Sequence, residues 1–386
     1  MDLTEDSDIK RISRILRTHD EPGINNLHNV NVKQIIPMLP PACLLEDTPI
    51  TTQATQTVKK ARAQIADILN GNDDRILLVC GPCSIHDTKS AMEYAKKLLE
   101  LSKKVQDYIL IVMRTYFEKP RTTVGWKGLI NDPYLNDTCR INHGMRLARK
   151  LLLDISDMGL PCGYECLDTI TPQYIADVMS WAAIGARTTE SQVHRELSSG
   201  LSMPVGFKNG TKGSIDIAAN AIISARHPHS FMGVTQQGLV AIIKTRGNKD
   251  THIILRGGRD GPNYESQYIK QTANILSKAN VAPKIMVDCS HGNSGKDYRN
   301  QPKVCTNVCG QISSGDRSII GMMMESHINE GKQKLIFGKA DTLEYGKSIT
   351  DSCMSFETTV EVVLELVDAV KQRRIIYTDE DLKWDK

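Results

Sequence analysis

Aromatic residues are scarce in this sequence, and it has neither a strong excess of one charge nor a long hydrophobic run. Only 5% of the 386 residues are aromatic, and the formal net charge is +3. No block of Lys and Arg or interleaved aromatic run suggests a groove for nucleic acid. No apolar run approaches the roughly 18 residues of a membrane helix. We therefore expect a protein that binds neither nucleic acid nor membrane.

A secretory signal is also missing, because the first residues are acidic and then mixed in charge, without an apolar core. We expect a cytoplasmic protein whose ten cysteines are mostly reduced thiols. The composition, 40% hydrophobic and 24% charged, is typical of a globular chain. Its length fits one large α/β domain with additions, or two smaller domains.

Three segments differ in character along the chain. Residues 1–70 are predicted to form an N-terminal extension that ends in a helix near 55–70, stopped by Gly71. We interpret it as an interface or regulatory segment packed on the main domain or on a partner subunit; a partly disordered tail is the alternative. Residues 71–376 form the catalytic domain, and 377–386 form a C-terminal tail.

Short apolar runs alternate with helical patterns through the catalytic domain, which is typical of repeated βα units. The predicted strands cover 76–80, 109–113, 162–166, 183–187, 205–208, 253–256, 285–288 and 320–324. Two further runs, 231–235 and 239–245, predict an inserted β-hairpin at about 229–247, before the sixth barrel strand. The pattern indicates an α/β fold, a (β/α)₈ TIM barrel. A doubly wound sheet is the alternative, since alternation alone does not distinguish open from closed sheets.

Helix starts are predicted from local signals. Thr171 before Pro172 indicates an N-cap, with a helical face that reaches Ala182. Thr189 and Gln192 fit a capping box. The last helix is expected at about 357–373.

Polar or charged residues stand at or just past the end of every predicted strand, where barrel enzymes carry their chemistry. Any one of them could be a solvated loop residue, but eight in succession indicate a site. In chain order they are Cys83, Arg114, Glu165, Arg187, Lys208, Arg256, His291 and Glu325.

Four of these residues are basic, and together they predict a site for a phosphate and a carboxylate, groups that Arg binds with two parallel hydrogen bonds. Cys83, His291 and Glu325 offer sulfur, nitrogen and oxygen donors, which Asp351 could join. Such a mixed set suits a borderline divalent ion such as Mn, Fe, Co or Zn better than Mg. No spacing motif supports the set, so composition alone leaves the metal open.

Cys80 and Cys83 also match the C-x-x-C pattern of dithiol oxidoreductases. In those enzymes a helix begins directly at the motif, whereas here the helix is expected only near Lys89. We therefore interpret Cys80 as a packing residue, and a redox function as the weaker alternative.

Several longer motifs make the resemblance to a family specific. The chain is similar to the microbial class I 3-deoxy-D-arabino-heptulosonate-7-phosphate (DAHP) synthases, from about residue 39 to the last helix. The motifs are GPCSIHD (81–87), MRTYFEKPRTTVGWKG (113–128), GARTTESQVHRE (185–196), PVGFKNGT (204–211), ILRGG (254–258), DCSHGNSGK (288–296), ESHINEG (325–331) and YGKSITDSC (345–353).

The resemblance implies the first reaction of the shikimate pathway, in which phosphoenolpyruvate and erythrose 4-phosphate condense with water to give DAHP and phosphate. It implies one divalent metal ion per subunit, and catalytic roles for Lys119, Glu165 and His291. The residues implied for each ligand are Cys83, His291, Glu325 and Asp351 for the metal; Arg114, Ala186, Arg187, Lys208 and Arg256 for phosphoenolpyruvate; and Lys119, Pro120, Arg121 and Thr122 for erythrose 4-phosphate.

A related family, the 3-deoxy-manno-octulosonate-8-phosphate synthases, resembles KANRSS where this chain has KPRTT, and it lacks the extension and the hairpin. Those two additions resemble the feedback-regulated DAHP synthases, in which an aromatic amino acid binds away from the active site. The resemblance implies Gln173, Ser202, Phe231 and Gly233, between barrel and hairpin, as candidate residues for this effector. Gly233 stands where phenylalanine-sensitive relatives tend to carry Ser, which favours tyrosine over phenylalanine. The resemblance also implies a homodimer or homotetramer. A catalytically dead amino-acid sensor, another alternative, would lack a ligand or an arginine, and none is missing.

Overall fold

The structure is a computed structural model that describes residues 29–377. The predictions for residues 1–28 of the N-terminal extension and for 378–386 of the C-terminal tail lie outside the described residues. No described helix combines the length and the apolar character needed to span a bilayer.

Ten strands are present among the described residues, and eight of them close into a parallel barrel in the order β1-β2-β3-β4-β5-β8-β9-β10. This confirms the predicted TIM barrel and rules out the open doubly wound sheet. The strands are β1 Ile76–Gly81, β2 Ile109–Arg114, β3 Cys162–Glu165, β4 Trp181–Ile184, β5 Val205–Lys208, β6 Ser230–Val234, β7 Val240–Lys244, β8 Thr251–Leu255, β9 Ile285–Asp288 and β10 Ile319–Glu325.

The barrel strands are buried along their whole length, as expected of parallel strands covered on both faces. Helices surround them and connect successive strands. The helices are α1 Pro41–Asp47, α2 Thr52–Asn70, α3 Thr88–Val105, α4 Ile141–Asp157, α5 Pro172–Ile175, α6 Gln192–Gly200, α7 Asp216–Arg226, α8 Ser266–Lys278, α9 Gln301–Ser313 and α10 Phe356–Ile376.

Helix α2 closes the amino-terminal end of the barrel. Its side chains Ile65, Ile68 and Leu69 pack in one buried cluster with interior residues such as Leu77 and Trp181. The helix ends at Gly71, whose φ of +74° favours glycine. The carboxyl end of the barrel is therefore left as the open end.

Two predicted helix starts and one strand are wrong in detail. Strand β4 lies at Trp181–Ile184 and not at 183–187, because a tight turn begins at Gly185, whose carbonyl accepts from the Thr188 and Thr189 amides. Arg187 therefore lies in the loop beyond the strand. The helix predicted to reach Ala182 is only a single turn, α5, followed by a 3₁₀ turn, because β4 begins at Trp181.

Neither of the two residues predicted as N-caps, Thr171 and Thr189, caps its helix. Thr171 has helical φ and ψ and caps nothing; instead Asp168 accepts hydrogen bonds from the Thr171 amide and hydroxyl. Helix α6 is capped by Ser191, which accepts from the His194 amide, and not by Thr189. The Thr189 hydroxyl instead donates to the Lys208 carbonyl at 2.8 Å, which connects the loop after β4 to the end of β5.

The predicted hairpin is confirmed, and it lies outside the barrel. Strands β6 and β7 pair antiparallel, with Met232 opposite Ile242 and Gly233 opposite Ala241. The Ala42 amide donates to the Gln236 carbonyl at 2.7 Å. The hairpin turn is thereby joined to α1.

His252 is an unusual residue of the barrel interior. Its side chain is 1% exposed, its ring lies 5.9 Å from the Trp181 ring, and neither ring nitrogen has a hydrogen-bond partner among the described residues. Burial lowers the pKa of His252 from 6.5 to about 3. The folded protein therefore keeps this imidazole neutral over a pH range in which the unfolded chain binds a proton.

We predict that His252→Leu makes the protein less sensitive to acid. The free energy of unfolding of the wild type should fall as the pH drops from 6.5 towards 3, and this residue contributes up to about 1.4 kcal/mol per pH unit. Leucine does not titrate, so the free energy of unfolding of the variant should fall less over the same pH range. Urea unfolding between pH 7 and pH 4.5 measures the difference.

The exposed His227 provides the control, because its substitution by leucine should leave the pH dependence unchanged. Equal acid sensitivity of the wild type and His252→Leu would contradict the prediction.

Candidate active site

A cavity of about 220 Å³ opens at the carboxyl ends of the barrel strands. Seven of the eight predicted strand-end residues line it, and the eighth, Glu325, lies beside Cys83 at its base. Arg114, Glu165, Lys208 and Glu325 are the last residues of their strands, whereas Arg187 and His291 lie three residues further on. The loops therefore extend the site beyond the strand tips.

Arg114 and Lys208 form the buried part of the basic cluster. Arg114 donates to the Glu325 carboxylate at 3.0 Å, and the Lys208 ammonium lies 3.6 Å from Glu165 Oε2. Burial would raise the pKa of Glu165, but the charges of Lys208 and then Arg114 lower it below its ordinary value. Glu165 is therefore an ionised carboxylate at neutral pH.

Arg187 and Arg256 form the more accessible part. Arg187 donates to the Pro120 carbonyl at 2.9 Å and to the Thr122 hydroxyl at 3.1 Å. The basic cluster is thereby connected to the 119–122 segment, all four residues of which line the cavity together with Ala186. The structure thus brings together both groups of residues implied for the two substrates.

Cys83, Glu325 and Asp351 form one group whose ligand atoms all lie within 4.8 Å of one another. The fourth predicted ligand, His291, directs Nε2 towards them at 3.6 Å from Glu325 Oε1. Burial, and then the charge of Glu325, raise the pKa of the Cys83 thiol. A thiol that is hard to ionise alone, beside two carboxylates and an imidazole, fits a borderline divalent cation, which displaces the proton on binding.

His291 adopts a left-handed backbone conformation, with φ of +52°. Such a conformation costs free energy for a residue other than glycine and persists where the surroundings impose it. The His291 carbonyl accepts from the Lys296 amide at 2.7 Å, and Nδ1 lies 2.7 Å from Ser290 Oγ. The ring is therefore held from one side, with Nε2 facing the ligand group.

Lys119 lies within the ligand group. Its ammonium donates to Asp351 Oδ2 at 2.7 Å and to Cys83 Sγ at 3.0 Å. Burial would lower the pKa of Lys119, but Cys83 and Glu325 together raise it above its ordinary value. Lys119 is therefore a cation over the whole physiological pH range.

Asp288, Tyr116 and Glu118 are among the site residues that the sequence did not predict. Asp288 is fully buried, with Oδ2 at 2.9 Å from His291 Nδ1 and 3.4 Å from Lys208 Nζ. Asp288 is the last residue of β9, whereas the predicted site residue His291 lies three residues further on. The centre of the Tyr116 ring lies 3.6 Å from the Arg114 guanidinium, and Tyr116 lines the cavity from the loop that follows β2.

Glu118 is the third such residue. It accepts a hydrogen bond from the Tyr164 hydroxyl and lines the cavity next to Lys119. Burial, and then the charge of Asp168, raise the pKa of Glu118 to about 7. No sequence pattern identifies it, because its environment is formed by residues from another strand.

The C-x-x-C pair does not form a dithiol site. All ten cysteines are free, and Cys80 is fully buried with its sulfur 3.2 Å from the Tyr94 hydroxyl. Burial raises the pKa of Cys80 to about 12, so this thiol is not a nucleophile at neutral pH.

A second cavity of about 410 Å³ lies between the barrel and the hairpin. It is lined by all four residues that the resemblance implies for an amino-acid effector: Gln173, Ser202, Phe231 and Gly233. A side chain at Gly233 would place its Cβ 2.7 Å from Ile243 Cγ1. Any other residue at position 233 would therefore require Ile243, which also lines this cavity, to shift.

Comparisons with known proteins agree with this geometry. Residues 47–364 match the family model described as the DAHP synthetase I family. The chain is 56% identical over 346 residues to the Phe-sensitive phospho-2-dehydro-3-deoxyheptonate aldolase of Escherichia coli (strain K12), covering 90% of this chain and 98% of that protein. It is 53% identical over 340 residues to the tyrosine-inhibited aldolase of Schizosaccharomyces pombe, covering 88% and 91%.

Among solved structures, the phospho-2-dehydro-3-deoxyheptonate aldolase of Francisella tularensis SCHU S4 is similar, with a TM-score of 0.87 and 50% identity over 89% of this chain and all of that one. The family match covers most of the chain, and the relatives align over nearly their whole length. The chain therefore belongs to the DAHP synthetase I family.

Proposed function

We propose that this enzyme condenses phosphoenolpyruvate with erythrose 4-phosphate and water to give DAHP and phosphate, the first step of the shikimate pathway. The observation that carries the proposal is one cavity in which the four side chains of the basic cluster lie beside a sulfur, nitrogen and oxygen donor set. The KPRT segment at 119–122 favours the four-carbon aldehyde over the arabinose phosphate of the related family.

Phosphoenolpyruvate would be bound by the basic cluster of Arg114, Arg187, Lys208 and Arg256, with the Ala186 backbone. The two buried cations are compensated by Glu325 and Glu165, so they are fixed in position before the substrate arrives. Preorganised charges of this kind stabilise an anionic substrate without reorganising during the reaction. The cluster would hold both the phosphate and the carboxylate of the substrate.

Erythrose 4-phosphate would be bound by Lys119, Pro120, Arg121 and Thr122. The Arg121 side chain is oriented by a hydrogen bond to the Trp126 carbonyl at 2.7 Å. Because Arg187 donates to both Pro120 and Thr122, the two substrate sites share a hydrogen-bonded wall. Holding two anions in fixed relative geometry supplies the entropic part of the rate enhancement.

The donor set of Cys83, His291, Glu325 and Asp351 would hold one divalent ion, Mn, Fe, Co or Zn. Such an ion would supply a Lewis acid for the aldehyde oxygen. Lys119, protonated at neutral pH and hydrogen-bonded to two of these donors, would donate a proton to the oxygen that becomes the new hydroxyl and would then regain one from solvent.

The chemistry assigned to Glu165 follows from its charge. C3 of phosphoenolpyruvate bonds to the aldehyde carbon, water adds to C2, and the C2–O bond to phosphate breaks. Glu165, held as a carboxylate by Lys208 and Arg114, would accept a hydrogen bond from the attacking water and orient it towards C2. One molecule of phosphate leaves for each DAHP formed.

We expect phosphate release to require both substrates together. Release should fall to background in EDTA, because the donor set loses its cation, and should return when Mn²⁺, Fe²⁺, Co²⁺ or Zn²⁺ is added. A colorimetric phosphate assay measures each condition. If no divalent ion supports release, the proposal is wrong.

The two cysteines of the C-x-x-C pair provide a matched control. Cys83→Ser should abolish release, because it removes a ligand from the group. Cys80→Ser should cost about 1 kcal/mol of stability but keep the activity. Equal loss in the two variants would favour a dithiol function instead.

The second cavity would bind an aromatic amino acid as a feedback inhibitor. Gln173 and Ser202 offer polar groups, the Phe231 ring offers an aromatic face, and the space at Gly233 suits the hydroxyl of tyrosine. This favours tyrosine, with phenylalanine next.

We predict that tyrosine inhibits the enzyme and that Gly233→Ser weakens this inhibition roughly tenfold, about 1.4 kcal/mol of binding free energy. The new Cβ would lie 2.7 Å from Ile243 Cγ1, so Ile243 would have to shift and the wall of the cavity would change shape. Initial rates at increasing tyrosine, and separately phenylalanine, measure the effect.

Gly310→Ser, at a helical glycine with open space around it, is the matched control and should leave inhibition unchanged. Equal wild-type activity with and without millimolar tyrosine would contradict the assignment.

The N-terminal extension and the hairpin would form the interface of a homodimer or homotetramer. The outer face of the hairpin carries Met232, Val240 and Ile242, which are 84%, 83% and 75% exposed. Val30 and Ile35 of the extension are also exposed. An apolar strand face of this kind is a common site of association between subunits.

Replacing Met232 and Ile242 together by lysine should therefore reduce the mass measured by light scattering. Two buried charges would oppose the contact between subunits. Ile375→Lys, at an equally exposed apolar position on α10, should leave the mass unchanged. An unaltered mass in the double variant would place the interface elsewhere.

A further inference from the structure

Asp288 has no role in the proposed reaction, yet it lies between the two halves of the site. Its side chain is 0% exposed at the end of β9. We propose that Asp288 is a positioning residue that orients both the ligand His291 and the substrate-binding Lys208. The assignment rests on the proposed function, because it concerns the metal group and the basic cluster of that same site.

The contacts on the His291 side form a short chain. Asp288 Oδ1 accepts from the Ser290 amide at 3.0 Å and from the Ser290 hydroxyl at 2.6 Å. Ser290 Oγ lies 2.7 Å from His291 Nδ1, and Asp288 Oδ2 lies 2.9 Å from the same nitrogen. An oxygen-rich environment around Nδ1 keeps the proton there, which leaves the Nε2 lone pair free.

Nε2 is the nitrogen that faces Glu325, at 3.6 Å from its carboxylate. The left-handed backbone conformation of His291 does not determine the orientation of the ring. The orientation therefore depends on the groups that contact Nδ1, on the side of the ring opposite Nε2. A carboxylate behind a ligand histidine fixes the tautomer and increases the basicity of the ligand nitrogen. Asp288, acting through Ser290, is in that position.

The contact on the Lys208 side is electrostatic. Lys208 Nζ lies 3.4 Å from Asp288 Oδ2 and 3.6 Å from Glu165 Oε2, so the ammonium is held between two carboxylates. Without Asp288, Glu165 would be the one carboxylate among the described residues within 4 Å of this ammonium. The ammonium would then move towards the carboxylate assigned to the water and away from the position where it contacts phosphoenolpyruvate.

Asp288→Asn tests the inference, because asparagine keeps the shape and removes the charge. In metal-stripped enzyme, Co²⁺ affinity, followed by the thiolate-to-cobalt absorption band, should fall roughly 10–100-fold. Phosphoenolpyruvate affinity, measured by calorimetry, should fall roughly tenfold, because the buried Lys208 ammonium has lost one of the two carboxylates that hold it. Neither measurement requires turnover.

Ser290→Ala separates the two contacts. It removes the hydroxyl beside His291 but keeps the carboxylate beside Lys208. Co²⁺ affinity should fall, by less than in Asp288→Asn, while phosphoenolpyruvate affinity stays at the wild-type value. This variant also keeps the inference testable if Asp288→Asn does not fold.

Asp132 provides a matched control, since it is a buried carboxylate that does not line the cavity and accepts from the Asp137 amide at 3.0 Å. Asp132→Asn should lower the unfolding temperature and leave both affinities unchanged. A merely structural role for Asp288 would give the same pattern and would overturn the inference.

Other outcomes are equally decisive. Loss of only one of the two affinities in Asp288→Asn overturns the shared role. Tighter phosphoenolpyruvate binding in Asp288→Asn would show that Asp288 only reduces the positive charge of the basic cluster. That result would also overturn the inference. A wild type that binds neither Co²⁺ nor phosphoenolpyruvate would instead contradict the proposed function.

Discussion

Closure of the parallel sheet is the constraint on which the rest of the structure depends. Pairing of β1 with β10 joins the first and last barrel strands, in a register that places Gly81 opposite Glu325. That register brings Cys83 and Glu325 into one ligand group although they lie at opposite ends of the barrel sequence. An open sheet would leave these two residues on separate edges, and the group would not exist.

The charged side chains inside the closed barrel need partners of opposite charge, because water has little access to them. Arg114 and Glu325 are each 2% exposed and 3.0 Å apart. Buried pairs of this kind contribute little to stability, since desolvation offsets the attraction between the charges. Their arrangement is better explained by the site, where charges held in advance suit an anionic substrate.

The sequence predicted most of this site from single positions at strand ends. Arg114, Glu165 and Lys208 could be identified because a buried parallel strand is a continuous apolar run that ends abruptly at a polar residue. Arg187 is predicted to lie in a strand but lies in the loop that follows β4. The prediction is wrong because the small residues after Ile184 continue the apolar run, although the backbone turns there. The KPRT segment and Asp351 lie in loops away from the strand ends. Asp351 could only be suggested as an additional ligand, and the KPRT segment was identified by the resemblance to a family alone.

The sequence by itself determined the number of βα units, the hairpin, and the residue types that meet at the barrel mouth, since these depend on local periodicity. Only the tertiary structure decided which side chains contact each other. Asp288 could not be identified as a site residue from the sequence, because an aspartate at the end of a strand is common. Its contacts with Lys208 at the end of β5 and with His291 in the loop after β9 exist only in the folded protein. Pairing of charges across a closed barrel depends on strand register and burial, and no local pattern encodes those distances.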